Sequence, residues 1–264
     1  MLRALIRKIL YRTTGINSIG EAINPVTYLD ALYFRVVYTS LGGCVWDGKF
    51  PGLPLQRRSG GGSESRPKLF GTYETELDGV WKGSTSSIAT VVESGANDGY
   101  YAIGLARMRP TIRTVTVECD SNRCELIKKG IDRNQVSGRV DIACSRLVAG
   151  ADFLRMLNPL VAPILIKCDI EGAEYQPFDA QTLTELFQRR ISVIVETHVD
   201  ARSEACLIES MRASGYLART INQNRSKDIG TERVGWFSAV GCKLFAQCWT
   251  DEFRGMQFNR WVVA

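Results

Sequence analysis

Between residues 87 and 221, short apolar runs rich in β-branched residues alternate with segments whose apolar positions recur every three or four residues. The strand-like runs are SIATVV (87–92), TIRTVTVE (111–118), GRVDIAC (138–144), PILIKCD (163–169), ISVIVET (191–197) and GYLARTI (215–221). The helical patterns between them place Tyr101, Leu105 and Met108 on one face, then Cys124, Ile127 and Ile131, and later Ala205, Ile208 and Met211. LVAGADFLRML and TLTELFQRR fill the remaining intervals, and GTYETELDGVW (71–81) predicts a capped helix ahead of the first strand. PILIKCD and ISVIVET are almost wholly apolar, as expected of parallel strands buried on both faces. Strand alternating with helix six times predicts a doubly wound α/β domain, with a mostly parallel sheet and right-handed crossovers. RWVVA (260–264) predicts a seventh strand, forming an antiparallel hairpin with the preceding segment at the sheet edge.

Ahead of this domain, residues 1–57 read as a helical N-terminal extension, and the Gly/Ser-rich stretch 58–67 as a linker or loop leading into a domain over 68–264. In MLRALIRKILYR, Leu2, Leu5, Ile6, Ile9 and Leu10 share a face, with Arg3, Arg7, Lys8 and Arg12 elsewhere. That basic amphipathic pattern suits either a helix docked on the body or peripheral contact of residues 1–12 with anionic lipid. It lacks the apolar core and cleavage site of a secretory signal. VTYLDALYFRVVYTSLGGCVW carries Asp30 and Arg35 and makes a poor membrane span.

Composition changes this picture little. At 45% hydrophobic and 23% charged residues, the 264-residue chain is ordinary for a globular protein, and a net charge of +5 is too mild and scattered to point to nucleic acid. Eight cysteines without a CxxC, and a single histidine, predict neither a structural zinc site nor a disulfide framework. A reducing, cytoplasmic setting fits that usage. Cys168 and Cys206 sit in apolar runs and read as small hydrophobes. Nothing in the pattern specifies an oligomeric state.

In open α/β sheets the ligand binds beyond the carboxyl ends of the strands, where strand order reverses. The first strand runs into Glu93-Ser94-Gly95-Ala96-Asn97-Asp98-Gly99, in which Gly95 removes a Cβ where a cofactor passes and Gly99 lets the next helix start close by. The spacing is G-x-x-x-G, so the pyrophosphate grip of nicotinamide enzymes is not evident. The second strand ends in Glu118, a carboxylate suited to accepting hydrogen bonds from ribose hydroxyls. Asp169 ends the fourth strand, Glu171 and Glu174 follow it, and Glu196 and His198 end the fifth.

The blocks VVESGANDGYYAIGLA, VTVECD, ILIKCDIEGAEY and VIVETH resemble the successive blocks of FkbM-type methyltransferases, over roughly residues 70–200. GTYETEL and DEFRGMQFNRW resemble segments of a bacterial branch of that group. Glu93 departs from the Asp more common in the family. The resemblance implies a class I methyltransferase fold, S-adenosylmethionine as cofactor, and O-methylation of a small-molecule or sugar hydroxyl. Tyr73, Glu93, Gly95, Asn97, Gly99, Tyr100, Glu118 and Asp169 are then expected around the cofactor, the tyrosines because a sulfonium favours aromatic surroundings. Asp169, Glu171 and His198 are expected in catalysis, with His198 as a general base or, with Asp169 and Glu196, a ligand of a divalent metal that acidifies the hydroxyl. Glu174, Glu196 and Arg254 are expected on the substrate side. Competing readings are an NAD(P)-dependent oxidoreductase, a non-catalytic adenosine-binding scaffold, and an RNA methyltransferase; the last lacks an aromatic and basic stripe.

Overall fold

The computed structural model describes residues 34–56, 64–84, 87–147, 149–198, 201–222 and 260–264. Seven strands form one sheet: β1 (Thr90–Ser94), β2 (Arg113–Glu118), β3 (Val140–Cys144), β4 (Ile164–Cys168), β5 (Ser192–Thr197), β6 (Arg219–Asn222) and β7 (Arg260–Val263). Their order is β3-β2-β1-β4-β5-β7-β6. Pairing is parallel from β3 to β5, and β7 runs antiparallel to both neighbours. This is the arrangement of the class I methyltransferase fold, and the strand order reverses between β1 and β4. RWVVA is thus a strand, but it does not close the edge. It is inserted between β5 and β6 and pairs antiparallel with both.

Helices α1 (Ser65–Phe70), α2 (Asp78–Ser84), α3 (Tyr100–Met108), α4 (Ser121–Asn134), α5 (Gly150–Leu157), α6 (Ala180–Gln188) and α7 (Ala201–Ala213) cover the sheet. The strands sort their side chains by alternation. Val91, Leu165 and Ile194 enter one core cluster, with α3, α4 and the N-terminal region. Val92, Ile164, Ile166, Val193 and Val195 enter the other, with α5, α6 and α7. Short polar side chains set the starts of helices: Asp120 Oδ1 accepts from Asn122 N at α4, and Asp179 Oδ1 accepts from Thr182 N at α6.

Several local expectations are corrected. Residues 71–81 do not form one helix: Glu74 adopts a left-handed conformation, and a 3-10 turn (Thr75–Leu77) precedes α2. Only 34–40 is helical in the described part of the extension, and 41–56 folds as turns around a Cys44–Pro54 bridge. Val37, Val45, Phe50, Leu53 and Leu55 join the same core as α3 and α4, so this region is packed into the body. Ser65-Arg66-Pro67, read as linker, is the first turn of α1. On α7 the buried face is Glu204, Leu207 and Met211, while Ala205 and Cys206 are exposed; Thr197 Oγ1 donates to Glu204 at 3.2 Å, which draws that acid inward. Met108 is likewise exposed. Cys124 and Cys144 are joined by a disulfide. Their 19 intervening residues gave no sign of it; β2–β3 pairing is what brings the start of α4 beside the end of β3. Residues 1–12, and most of the linker, lie outside the described residues.

Candidate active site

The carboxyl ends of β1, β2 and β4 open onto a cavity of about 550 Å³, within the range of small-molecule and cofactor sites. Its first wall is the turn after β1. Gly95 takes φ +77°, and a Cβ there would stand 1.5 Å from the Asp169 carbonyl oxygen. The glycine is therefore required by the β4 backbone, before any ligand is considered. Gly99 takes φ +75° and starts α3 tightly against Ile103 and Ile127. Asn97 is left-handed without being glycine, and its amide donates to Glu118 Oε2 at 2.8 Å. Glu118 Oε1 accepts from Asp120 N at 2.9 Å. One strand-end carboxylate thus ties the β1 turn to the α4 entry, and each oxygen keeps a second lone pair for a ligand hydroxyl.

Glu93 plays a similar part from β1. It is buried, and its Oε2 accepts from Ala102 N in the first turn of α3 at 3.0 Å. Burial raises its pKa to about 8, against the opposing pull of Lys167 and that amide. Ser94 Oγ, Asp98 Oδ2 and Tyr100 Oη belong to buried residues of the cavity lining and have no hydrogen-bond partner among the described residues. Buried polar atoms of this kind are costly unless something satisfies them.

Two ammonium groups lie in the same lining. Lys68 is 2% exposed; its Nζ reaches Glu64 at 2.7 Å and Asp98 at 2.9 Å, and stands 4.8 Å from the Tyr73 ring centre. Lys167 Nζ is 3.6 Å from Glu74, 3.8 Å from Asp169 and 4.9 Å from the Tyr101 ring centre. Burial works against both charges, but the carboxylates around them hold each pKa above the ordinary lysine value. Tyr101 Oη donates to Glu74 at 2.6 Å. From outside, Lys49 Nζ donates to the Tyr73 and Glu74 carbonyls, both at 2.6 Å, and to Asp78 at 2.8 Å. This clamp holds the left-handed Glu74 and so presents Tyr73, which packs edge-on to Tyr100.

At the β4–β5 side, Asp169 and Glu171 belong to the lining, and His198 stands behind them. Its Nδ1 is 2.8 Å from Glu174 Oε1, which also accepts from Gly172 N. Its Nε2 is 3.6 Å from Asp169, 3.8 Å from Glu171 and 3.8 Å from Glu196. Burial opposes charge on His198, yet the Glu174 hydrogen bond and the Asp169 and Glu171 carboxylates outweigh it, raising its pKa to about 8. Burial likewise lifts Asp169 to about 6, and lifts Glu196 well above the carboxylate range with help from Asp169 beside it. Asp169, Glu196 and His198 each offer a ligand atom within 4.8 Å of the others, a set of one imidazole nitrogen and two carboxylate oxygens that fits a divalent ion.

The structure therefore brings Tyr73, Glu93, Gly95, Asn97, Tyr100, Glu118, Asp169 and Glu171 to one cavity. Gly99 acts behind the wall. Glu174, expected against substrate, is fully buried and holds the far side of His198. Arg254 lies outside the described residues. Sequence reasoning passed over Lys68, Glu74, Asp98 and Lys167. Lys167, inside the apolar run PILIKCD, carried the one available signal: a lysine in a doubly buried strand demands a partner.

No family model matches the chain, and no curated protein matches it. Solved structures similar to it include a precorrin-6y C5,15-methyltransferase from Geobacter metallireducens, at 13% identity over 74% of this chain and 89% of that one, with a TM-score of 0.44. A putative O-methyltransferase from Klebsiella pneumoniae is 12% identical over 98% of this chain and 95% of its own, with a TM-score of 0.41. The O-methyltransferase of tomaymycin synthesis from Streptomyces achromogenes, in complex with S-adenosylmethionine, is 16% identical over 67% and 72%, with a TM-score of 0.39. The fold assignment itself rests on the strand order β3-β2-β1-β4-β5-β7-β6 and its single antiparallel strand.

Proposed function

We propose that this chain is an S-adenosylmethionine-dependent methyltransferase of FkbM type that O-methylates a hydroxyl of a small molecule or sugar. The observation that carries the reading is a single cavity at the sheet's switch point, with Glu118 at one side and Asp169 and Glu171 at the other. Each Glu118 oxygen accepts one backbone amide and keeps a lone pair, which supports its accepting from the ribose hydroxyls of such a donor. The buried Ser94, Asp98 and Tyr100 groups suit a polar ligand, and the Tyr73 and Tyr100 rings suit a sulfonium. The donor supplies an activated methyl group. The protein aligns the acceptor for in-line displacement and takes up its proton. His198 Nε2, with its ring fixed through Nδ1 by Glu174, is the candidate base.

A second reading, favoured by the ligand distances around His198, places a divalent ion on Asp169, Glu196 and His198, where it would acidify the acceptor hydroxyl. Activity abolished by a chelator and restored by Mg²⁺ or Mn²⁺ selects that version; indifference to chelation selects the general base. The reading as a whole is tested by thermal shift and calorimetry with S-adenosylmethionine, S-adenosylhomocysteine and NAD, followed by methyl transfer to a panel of hydroxyl acceptors. Binding of the first two and product formation are expected. Stabilisation by NAD alone would overturn it in favour of an oxidoreductase, and donor binding without transfer to any acceptor would favour an adenosine-binding scaffold.

A further inference from the structure

Cys124 lies in the first turn of α4, is 1% exposed, and is bonded to Cys144, the exposed last residue of β3. Cys144 is the register partner of Glu118. The bridge therefore joins two backbone segments that both reach the cavity: Glu118, Cys119, Asp120 and Arg123 on the α4 side, and Ser145, Arg146 and Leu147 just beyond β3. Glu118 in turn fixes the β1 turn through Asn97 N and the α4 entry through Asp120 N. Besides the bridge, β2–β3 pairing and the packing of Ile127 and Ile131 of α4 with Val140 and Ile142 of β3 hold the bases of these walls, while Ser145 and Arg146 beyond β3 are exposed. Exposure of Cys144 lets a small thiol attack its sulfur, with Cys124 as the leaving thiolate in the first turn of a 14-residue helix, where the helix dipole favours negative charge.

We propose that Cys124 and Cys144 form a reversible dithiol–disulfide couple that sets the affinity of the cavity for its adenosyl ligand. Oxidation joins the two cavity walls in binding geometry, and reduction releases them. In the oxidising direction the two thiols pass two electrons and two protons to a low-molecular-weight disulfide such as oxidised glutathione, whose halves leave as two thiols. In the reducing direction two small thiols give those electrons back. A wall already ordered loses less freedom when the ligand binds, so the bridged form binds more tightly. The inference rests on the donor reading above.

The test uses the full chain, poised with oxidised or reduced glutathione, with the bridge scored by intact mass and the affinity for S-adenosylhomocysteine by calorimetry. Oxidised protein is expected to lose two mass units and to bind at least about threefold more tightly, ~0.7 kcal/mol, than reduced protein. Cys144→Ser, at an exposed position, is expected to bind like the reduced protein in both conditions. The paired variant Cys124→Ser with Cys144→Ser should match it. Equal affinity of both wild-type states, absence of the bridge under oxidised glutathione, or an equal response in Cys144→Ser (which would assign the effect to another cysteine, such as the exposed Cys119 or Cys206) each overturn the switch. Equal binding in both states leaves the donor reading standing. No binding in either state removes the donor reading and the switch together.

Discussion

At the scale of the single residue, His198 carries the sharpest expectations. It can accept a proton only when neutral, and its pKa is raised to about 8. As a general base it therefore makes kcat rise with pH, levelling off above about pH 8. His198→Asn should lower kcat by about 10²–10⁴-fold, remove that rising limb and leave donor affinity unchanged. A variant retaining the limb would take the base role away from this histidine. Glu118→Ala removes the acceptor for two backbone amides, and with it the proposed ribose contact. S-adenosylhomocysteine affinity should fall at least about tenfold, with Glu118→Gln recovering part of it; an unchanged affinity by calorimetry would remove Glu118 from the site. These residues were legible because each stands at a strand's carboxyl end. Lys68 and Glu74 were not, because Asp98 and Tyr101, which draw them into the interior, lie 30 and 27 residues away and meet them only in the folded chain.

Among elements, the apolar runs of the central strands were readable because burial on both faces leaves a nearly continuous apolar, β-branched trace. The register between strands leaves none, and so neither the disulfide nor the place of β7 could be read. Helix faces shifted where a polar tie competed with burial, as Glu204 shows. The turn after β1 tolerates no side chain at Gly95: Gly95→Ala combines positive φ with overlap against the Asp169 carbonyl. We expect destabilisation above about 2 kcal/mol in denaturant unfolding, with loss of donor binding. A stable, binding-competent Gly95→Ala protein would contradict this packing. Removing residues 260–264 takes away the strand between β5 and β6. That truncation should leave β5 with an open edge and yield insoluble protein, as a sedimentation assay would report.

For the molecule as a whole, buried charge makes stability depend on pH in a defined direction. His198 has a folded pKa above its ordinary 6.5, so the stability it contributes is complete below about pH 6.5 and is lost as pH rises through about 8. Glu93, lifted to about 8, favours its protonated form in the fold and acts in the same direction. Glu64 and Glu174, held below the usual carboxylate range, have made their contribution by pH 5 and do not oppose this. Tm should fall between pH 6.5 and 8.5, and His198→Asn with Glu93→Gln should flatten the decline. A wild-type Tm constant across that interval would mean these groups are not buried as described.

The seating of β7 bears on how the chain is made. As the polypeptide leaves the ribosome, β1 through β5 can pair in the order of synthesis, but β5 has no outer neighbour until residues 260–263 emerge. The β6 segment must wait for the same four residues, because among the described strands its partner is the one they form. Translation must therefore pass residue 263 before the sheet can be completed, and until then a nascent chain with five strands in place presents an unpaired apolar edge to the cell's chaperones.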